Sequence, residues 1–517
     1  MTALRARDVS VRHGETTLVE PIDLDIEAGR CLAVIGESGS GKTMTARAIA
    51  GLLPRGVTAS GSMQLGDRTI DLPGNERVWA NIRGEQIALL LQDPFTSLSP
   101  VHRCGQQLAQ ALQAEDRRRG RRRSRADLQE QVLLRLEEVR LPGRVARQYP
   151  HELSGGMRQR VAIAATLAAD PDILIADEPT TALDATVQAG ILDLLTTLCQ
   201  ERDLGLLLIS HDLGIVQGRA QSVIVMRDGR VVERGATADV LSSPQEDYTR
   251  RLLASSPSLS DVRQRDTRTT ADPLLEALDV SKSFDNRPVL FDVSVRLYAG
   301  EMLALVGESG SGKSTMARVI AGLETPESGT MTYAGRPLGW GRADRSPDQV
   351  QVVFQDPNST LNPAFTVAKT LTEALRVAGR PGSDLAGLLE SVDLDPGLAD
   401  RKPGQLSGGQ RQRVAIARAL APKPSVLLCD ESVSALDVSV QAQILQMLTE
   451  VTQKLDLAVL FITHDLAVVA EIADRVAVMR DGRIVETGSA ASVITAPQHE
   501  YTAELVASAR AQSLTKG

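Results

Sequence analysis

Gly36-Glu37-Ser38-Gly39-Ser40-Gly41-Lys42-Thr43 recurs further along the chain as Gly307-Glu308-Ser309-Gly310-Ser311-Gly312-Lys313-Ser314. Each copy follows an apolar run of strand type, Cys31 to Ile35 and Met302 to Val306. Each precedes a helix-like segment ending near a Gly-Leu pair, Gly51-Leu52 and Gly322-Leu323. Strand, glycine loop and helix in that order are the context of a phosphate-binding loop. Gly36, Gly39 and Gly41, like Gly307, Gly310 and Gly312, let the backbone bend until successive N–H groups point into one concavity. Ser38, Ser40, Ser309 and Ser311 fill out the same cradle, and the helix N-terminus adds partial positive charge. Lys42 and Lys313 are placed to reach β- and γ-phosphates, and the Thr43 and Ser314 hydroxyls to bind Mg²⁺.

Repetition extends over nearly the whole chain. Asp8-Val9-Ser10 matches Asp279-Val280-Ser281, and Gln92-Asp93-Pro94 matches Gln355-Asp356-Pro357. Leu153 to Arg160 matches Leu406 to Arg413, and from there the offset is a constant 253 residues. A period this long means two duplicated domains rather than a solenoid. Within each half the order is strand, phosphate loop, helix, a variable region, then helix, strand, helix, strand, which specifies an α/β core. Asp172 to Ala176, Ser425 to Cys429, Leu206 to Ser210 and Val459 to Thr463 are short apolar runs of buried parallel-strand type. Arg227-Asp228-Gly229-Arg230 and Arg480-Asp481-Gly482-Arg483 carry Asp-Gly hairpin turns. The polar stretch 255–273 reads as a flexible linker between a first domain, 1–254, and a second, 274–517; 508–517 reads as a frayed tail.

Bulk properties exclude several classes. Aromatic residues make up 3% of the 517-residue chain, too few for a base-stacking platform, and the net charge of −8 does not advertise a polyanion partner. No apolar run approaches bilayer length, and Met1 to His13 has no signal-peptide core, so the expected location is cytoplasmic. Cys31, Cys104, Cys199 and Cys429 have no paired metal spacing and read as buried small hydrophobes.

Asp177-Glu178 and Asp430-Glu431 end two of the apolar runs. A carboxylate at the C-terminal end of such a strand faces the ligand crevice of an open α/β sheet. Asp177 and Asp430 can hold Mg²⁺ through its water, and Glu178 and Glu431 can polarise the attacking water of phosphoryl transfer. His211 and His464, each 34 residues beyond the Asp, can bond the γ-phosphate. Ser154-Gly155-Gly156 and Ser407-Gly408-Gly409 offer a hydroxyl and open N–H groups at a helix start, a second anion site.

Phosphate loop, Gln92 or Gln355, Leu-Ser-Gly-Gly, Asp-Glu strand, Ala-Leu-Asp (Ala182 to Asp184; Ala435 to Asp437) and histidine, in that order, resemble the ATPase domain of ATP-binding cassette transporters. More narrowly, Gln92 to Pro100, Gln355 to Pro363 and the tails Pro244 to Thr249 and Pro497 to Thr502 are similar to the peptide/nickel import branch, with two ATPases fused in one chain. The resemblance implies tandem P-loop domains, each with a RecA-like α/β core, an antiparallel β subdomain and a helical subdomain. It implies ATP with Mg²⁺, Gln92 and Gln355 beside the metal and the water, and Asp184 and Asp437 beside the nucleotide. It implies that the halves pair head to tail, so that Ser407 to Gln410 close over ATP on Lys42 and Ser154 to Met157 over ATP on Lys313. It implies two transmembrane permease subunits, an extracellular solute-binding protein and a peripheral position on the cytoplasmic face of the membrane, with no nucleic acid. A sugar-importer ATPase and a ribosome-associated double ATPase fit the same order of motifs, but lack respectively this signature and this short connector.

Some positions depart from the pattern. His13 stands where Phe284 keeps an adenine-stacking aromatic, and Met157 replaces the Gln found as Gln410. The seven arginines of 117–125 read as a solvated loop, with contact to anionic lipid headgroups as the alternative. Permease docking is expected at Asp93 to Val101 and Asp356 to Ala364, with Phe95 and Leu361 as the apolar contacts.

Overall fold

A computed structural model describes residues 2–91, 97–180, 183, 185–259, 262, 272–380, 385–433 and 436–512. Gln92 to Thr96, Ala182, Asp184, Ala435, most of the expected linker and the end of the expected tail lie outside the described residues. The chain forms two compact units, the first running to Ser256 and the second beginning at Pro257.

The first unit contains β1 (Thr2–His13), β2 (Thr16–Glu27), β3 (Cys31–Ile35), β4 (Val57–Leu65), β5 (Arg68–Asp71), β6 (Ile87–Leu90), β7 (Ile173–Asp177), β8 (Gly205–Ser210), β9 (Ser222–Arg227) and β10 (Arg230–Ala236). Two sheets result. One is antiparallel, in the order β2-β1-β4-β5. The other has the order β10-β9-β3-β8-β7-β6, parallel from β9 to β6, with β10 antiparallel at its edge. β3, β7 and β8 are buried along their whole length, which is why they read as unbroken apolar runs rather than alternating ones. β2 packs one face and alternates. The helix Lys42–Ile49 lies between the sheets, its Ala46 and Ile49 in one core with Leu4, Met63, Ile175 and Leu207.

The second unit repeats this plan with β11 (Leu275–Phe284), β12 (Arg287–Leu297), β13 (Met302–Val306), β14 (Ser328–Tyr333), β15 (Arg336–Pro337), β16 (Val350–Val353), β17 (Val426–Asp430), β18 (Ala458–Thr463), β19 (Arg475–Arg480) and β20 (Arg483–Ser489). Its sheets run β12-β11-β14-β15 and β16-β17-β18-β13-β19-β20. A helical layer completes each unit: Cys104–Arg118, Arg125–Glu138 and Gly155–Thr166 in the first, Val367–Val377, Leu385–Glu390 and Gly408–Leu420 in the second. The expected α/β core, antiparallel subdomain and helical subdomain are all present in both, and all four cysteines are free and buried.

Three expectations need correction. The arginine run is not uniformly solvated. Arg123 Nη1 lies 2.8 Å from Asp116 and 3.1 Å from Glu115, Arg119 also reaches Glu115 at 3.1 Å, and Arg118 donates to the Arg83 carbonyl. Both carboxylates are buried, and a buried charge needs a partner, so part of the run is structural. The chain after Ser256 does not begin as free connector, because Leu259 packs with Tyr501 and Val506 in the second unit. Leu361 is no surface contact. It is 3% exposed, in the core with Val367, Leu371 and Leu406, because the helix Pro357–Thr360 turns it inward. In the corresponding stretch of the first unit the exposed apolar residue is Val101, and Phe95 lies outside the described residues. Leu361→Ala should therefore behave as a core truncation, costing about 2–5 kcal/mol of stability in denaturant unfolding.

Candidate functional site

Parallel strand order gathers the chemistry at one edge. β3 lies between β8 and β9, and β7 is next to β8. The phosphate loop after β3, Asp177-Glu178 at the end of β7 and His211 after β8 thus emerge side by side at the strands' C-terminal ends, where an open α/β sheet binds ligands. β13, β17 and β18 do the same for the second loop, Asp430-Glu431 and His464.

The loop backbone has the expected curvature. Gly36 and Gly307 have φ of 150° and 153°, and a Cβ on either would sit 2.1 Å from the carbonyl oxygen of Met226 or Met479. Gly39 and Gly310 also have positive φ but face open space. The loop rests on the β9–β10 hairpin: Gly229 N–H donates to the Ser40 carbonyl at 3.1 Å, and Gly482 N–H to Ser311 at 3.0 Å. The Asp-Gly turn read from the sequence as a hairpin is thus a support for the phosphate loop. The Lys42 ammonium, 5% exposed, donates to the carbonyls of Gly36 (2.7 Å) and Glu37 (2.8 Å); Lys313 does the same to Gly307 (2.8 Å) and Glu308 (2.7 Å).

Thr43 Oγ1 donates to Asp177 at 3.1 Å and Ser314 Oγ to Asp430 at 2.8 Å. Burial pushes both aspartates above the usual carboxylate range, with the hydroxyl bond opposing it. His211 Nδ1 lies 3.3 Å from Glu178 and His464 Nδ1 3.7 Å from Glu431. Gln355 donates to Glu431 Oε2 at 2.8 Å. Burial works against a charge on Glu431, but the bond and charge of His464 outweigh it and hold the carboxylate below its ordinary range. Burial likewise opposes a charge on His464, and Glu431 wins again, raising the imidazole.

Glu178 and Glu431 carry a feature no motif announced: their φ values are 48° and 46°. A side chain in the left-handed region costs about 1–2 kcal/mol. The backbone is held there because Glu178 N–H donates to Ile209 and Glu431 N–H to Ile462, each at 3.0 Å across to the next strand.

Ser154 and Ser407 cap the helices Gly155–Thr166 and Gly408–Leu420, accepting from Met157 N–H and Gln410 N–H. Gln410 closes a reciprocal box on Ser407 N–H at 3.0 Å, which Met157 has no polar atom to reproduce. Gly156 and Gly409 admit Val187 and Val440, whose methyls would lie 2.4 Å from a Cβ. Asp437 occupies the N-cap position of the helix Val438–Leu455. His13 and Phe284 end β1 and β11; Phe284 is exposed, with the Lys282 ammonium 4.9 Å from its ring centre.

Each unit is a P-loop nucleotide-binding module carrying its own lysine, carboxylate pair and histidine. A family model described as "ABC transporter" matches residues 19–181 and again 290–434, and one described as "Oligopeptide/dipeptide transporter, C-terminal region" matches 232–288. The chain is 42% identical to the Escherichia coli K12 protein named "Uncharacterized ABC transporter ATP-binding protein YejF", over 98% of this chain and 99% of that one. It is 39% identical to the Escherichia coli K12 "Glutathione import ATP-binding protein GsiA", over 95% of this chain and 86% of that one. Among solved structures, the archaeal ribosome recycling factor aABCE1 has a TM-score of 0.64 at 19% identity, covering 97% of this chain and 92% of that one, a likeness of fold alone. The chain belongs to the ABC transporter family and is an ATP-binding ATPase with two nucleotide-binding modules.

Gly307→Ala should cost about 2 kcal/mol or more, because it adds a backbone clash to an unfavourable φ. Gly310→Ala, strained but unobstructed, should cost about 1 kcal/mol. Urea unfolding of the two variants beside the wild type checks the order.

Proposed function

We propose that the chain energises import of peptides or related small solutes, glutathione among them, through two separate membrane permeases served by an extracellular solute-binding protein. Domains 1–254 and 274–517, joined by 255–273, would pair head to tail. ATP on Lys42 would be closed over by Ser407 to Gln410, and ATP on Lys313 by Ser154 to Met157. The observation that carries the reading is the duplicated set of lysine, carboxylates and histidine in a chain akin over nearly its whole length to import ATP-binding proteins. The import ATP-binding relatives favour it over the ribosome-associated alternative, whose likeness is confined to the fold.

In this reading Lys42 and Lys313 exchange loop carbonyls for phosphate oxygens. Glu178 and Glu431 orient and polarise the attacking water, His211 and His464 fix that carboxylate and the γ-phosphate, and Gln355, with Gln92 in the first half, joins the water to the rest of the protein. One hydroxyl and one carboxylate per site (Thr43 and Asp177; Ser314 and Asp430) are the hard oxygen donors suited to Mg²⁺ that keeps several waters, which would neutralise phosphate charge. His13 and Phe284 would contact the base, and Asp184 and Asp437 the nucleotide's surroundings.

Among the described residues no helix is long and apolar enough to cross a membrane. In this reading the pore is formed by separate permease chains, and the protein sits peripherally on the cytoplasmic face. Leu52 and Leu323 stand at equivalent places after the two loop helices, 41% and 42% exposed. Leu52 borders a groove of about 290 Å³ walled by Leu89, Ala111, Ala114 and Arg118, between the sheet layer and the helical layer of the first unit. In this reading the groove receives an apolar side chain from a cytoplasmic segment of a permease.

Two outcomes are expected. Glu178→Gln with Glu431→Gln should still bind ATP while turnover falls about 100-fold or more; near wild-type hydrolysis would remove these roles. Leu52→Ser with Leu323→Ser should weaken permease co-purification, by about 1–3 kcal/mol per lost apolar contact, and leave ATP binding by the isolated chain intact. Normal assembly would move docking elsewhere.

A further inference from the structure

Two tyrosines outside every motif assigned to the nucleotide touch the phosphate loops from behind. Glu37 N–H donates to Tyr248 Oη at 3.3 Å, and Glu308 N–H to Tyr501 Oη at 3.1 Å. The same peptide unit carries the lysine's acceptor. The Gly36 carbonyl, bonded covalently to Glu37 N, receives Lys42 Nζ at 2.7 Å, and the Gly307 carbonyl receives Lys313 Nζ at 2.8 Å. One peptide plane therefore joins the tyrosine on one side to the phosphate-binding lysine on the other. It follows a glycine, whose missing Cβ gives that plane more freedom than any other residue would.

The tyrosines are themselves fixed. Both are buried, Tyr248 at 8% and Tyr501 at 2% exposure. Arg227 lies 5.1 Å from the Tyr248 ring centre and Arg480 4.6 Å from that of Tyr501, each from the hairpin whose turn supports the loop. The start of each tyrosine's helix is held by a carboxylate of the hairpin's outer strand. Glu233 accepts from Gln245 N–H (2.8 Å) and Glu246 N–H (3.3 Å), and Glu486 from Gln498 N–H (2.9 Å) and His499 N–H (3.0 Å). Burial pushes the Tyr248 phenol up to about 12, so the hydroxyl stays neutral as an acceptor for an N–H. Hairpin, helix start, ring, hydroxyl and loop peptide form one connected support, present in both units with nearly the same distances.

We propose that Tyr248 and Tyr501 are positioning residues for the phosphate loops: each hydroxyl fixes the orientation of the Gly-Glu peptide, and through it the lysine and the curvature that binds phosphate. The proposal rests on the reading that these loops hold the phosphates of ATP. It gives the helices Asp247–Ser255 and Glu500–Gln512 a role in nucleotide affinity, although they lie at the ends of their units in sequence.

Tyr248→Phe with Tyr501→Phe in the full chain keeps ring, burial and arginine contact and removes only the hydroxyl. Losing one such bond is expected to raise KM for ATP, and the Kd of a fluorescent ATP analogue, about 3- to 10-fold. The value of kcat at saturating ATP should stay within about twofold and Tm within a few degrees, because the water-positioning groups and the packing are untouched. Tyr248→Ala with Tyr501→Ala should show the same affinity loss with a lowered Tm. Wild-type KM and Kd in the Phe variant, beside a lowered Tm in the Ala variant, would mean that the rings only pack, and would overturn the proposal. Should the double Phe variant not fold, each single Phe variant is read in the same binding assay. Lys42→Ala with Lys313→Ala separates the premise: its loss of analogue binding upholds the loop reading whatever the tyrosines do. Undiminished binding by that lysine variant would sink the loop reading and the proposal with it.

Discussion

A buried ammonium facing the carbonyls of its own loop sets the conditions for the rest of each unit. Lys42 and Lys313 are almost fully removed from water, and such a charge is tolerable only with close oxygen partners. Those partners are main-chain carbonyls, so the loop must turn its backbone inward, and only glycine at Gly36 and Gly307 leaves room for the neighbouring strand end. Everything that touches the loop then has to be in place: the hairpin glycine on Ser40 or Ser311, the tyrosine on the Gly-Glu peptide, and the aspartate on the first hydroxyl of the helix. The same lysine can pass to phosphate oxygens without a new fold, since one set of acceptors replaces another.

The two sites are alike in plan and unlike in detail. The signature of the second unit is the better capped, because Gln410 returns a bond that Met157 lacks the atoms to make. His211 stands closer to its glutamate, at 3.3 Å, than His464 does, at 3.7 Å. At the end of the first strand an imidazole, His13, stands where the other half has the phenyl ring of Phe284. A duplicated domain keeps what the phosphate chemistry demands and drifts where hydrogen bonding allows substitutes.

Much of the molecule was legible because its signals are local. A glycine loop between an apolar run and a helix, an Asp-Glu after a buried strand, and an Asp-Gly between β-rich runs each act within a few residues, and the duplication confirms them by repetition. The strand limits moved by one residue, as with Ile173–Asp177 in place of 172–176, since burial continues into the carboxylate itself. What failed depended on which side chains meet once the helices pack, which composition alone does not show. Leu361 sits in a polar, irregular stretch and still points into the core. Arg119 and Arg123 belong to a charge run and still serve Glu115 and Asp116 beneath them.

The sequence by itself determined the two P-loop modules, their order of motifs and the lysines, carboxylates and histidines they present, because each motif's spacing is fixed by the turn, strand end or helix start it must occupy. Only the tertiary structure decided which of these groups meet. The left-handed backbone at Glu178 and Glu431, the glutamate–histidine contacts and the tyrosine behind each loop arise from pairing of strands and helices far apart along the chain. Glu37 and Tyr248 are 211 residues apart and share a hydrogen bond because the sheet order, not the local sequence, brings them together.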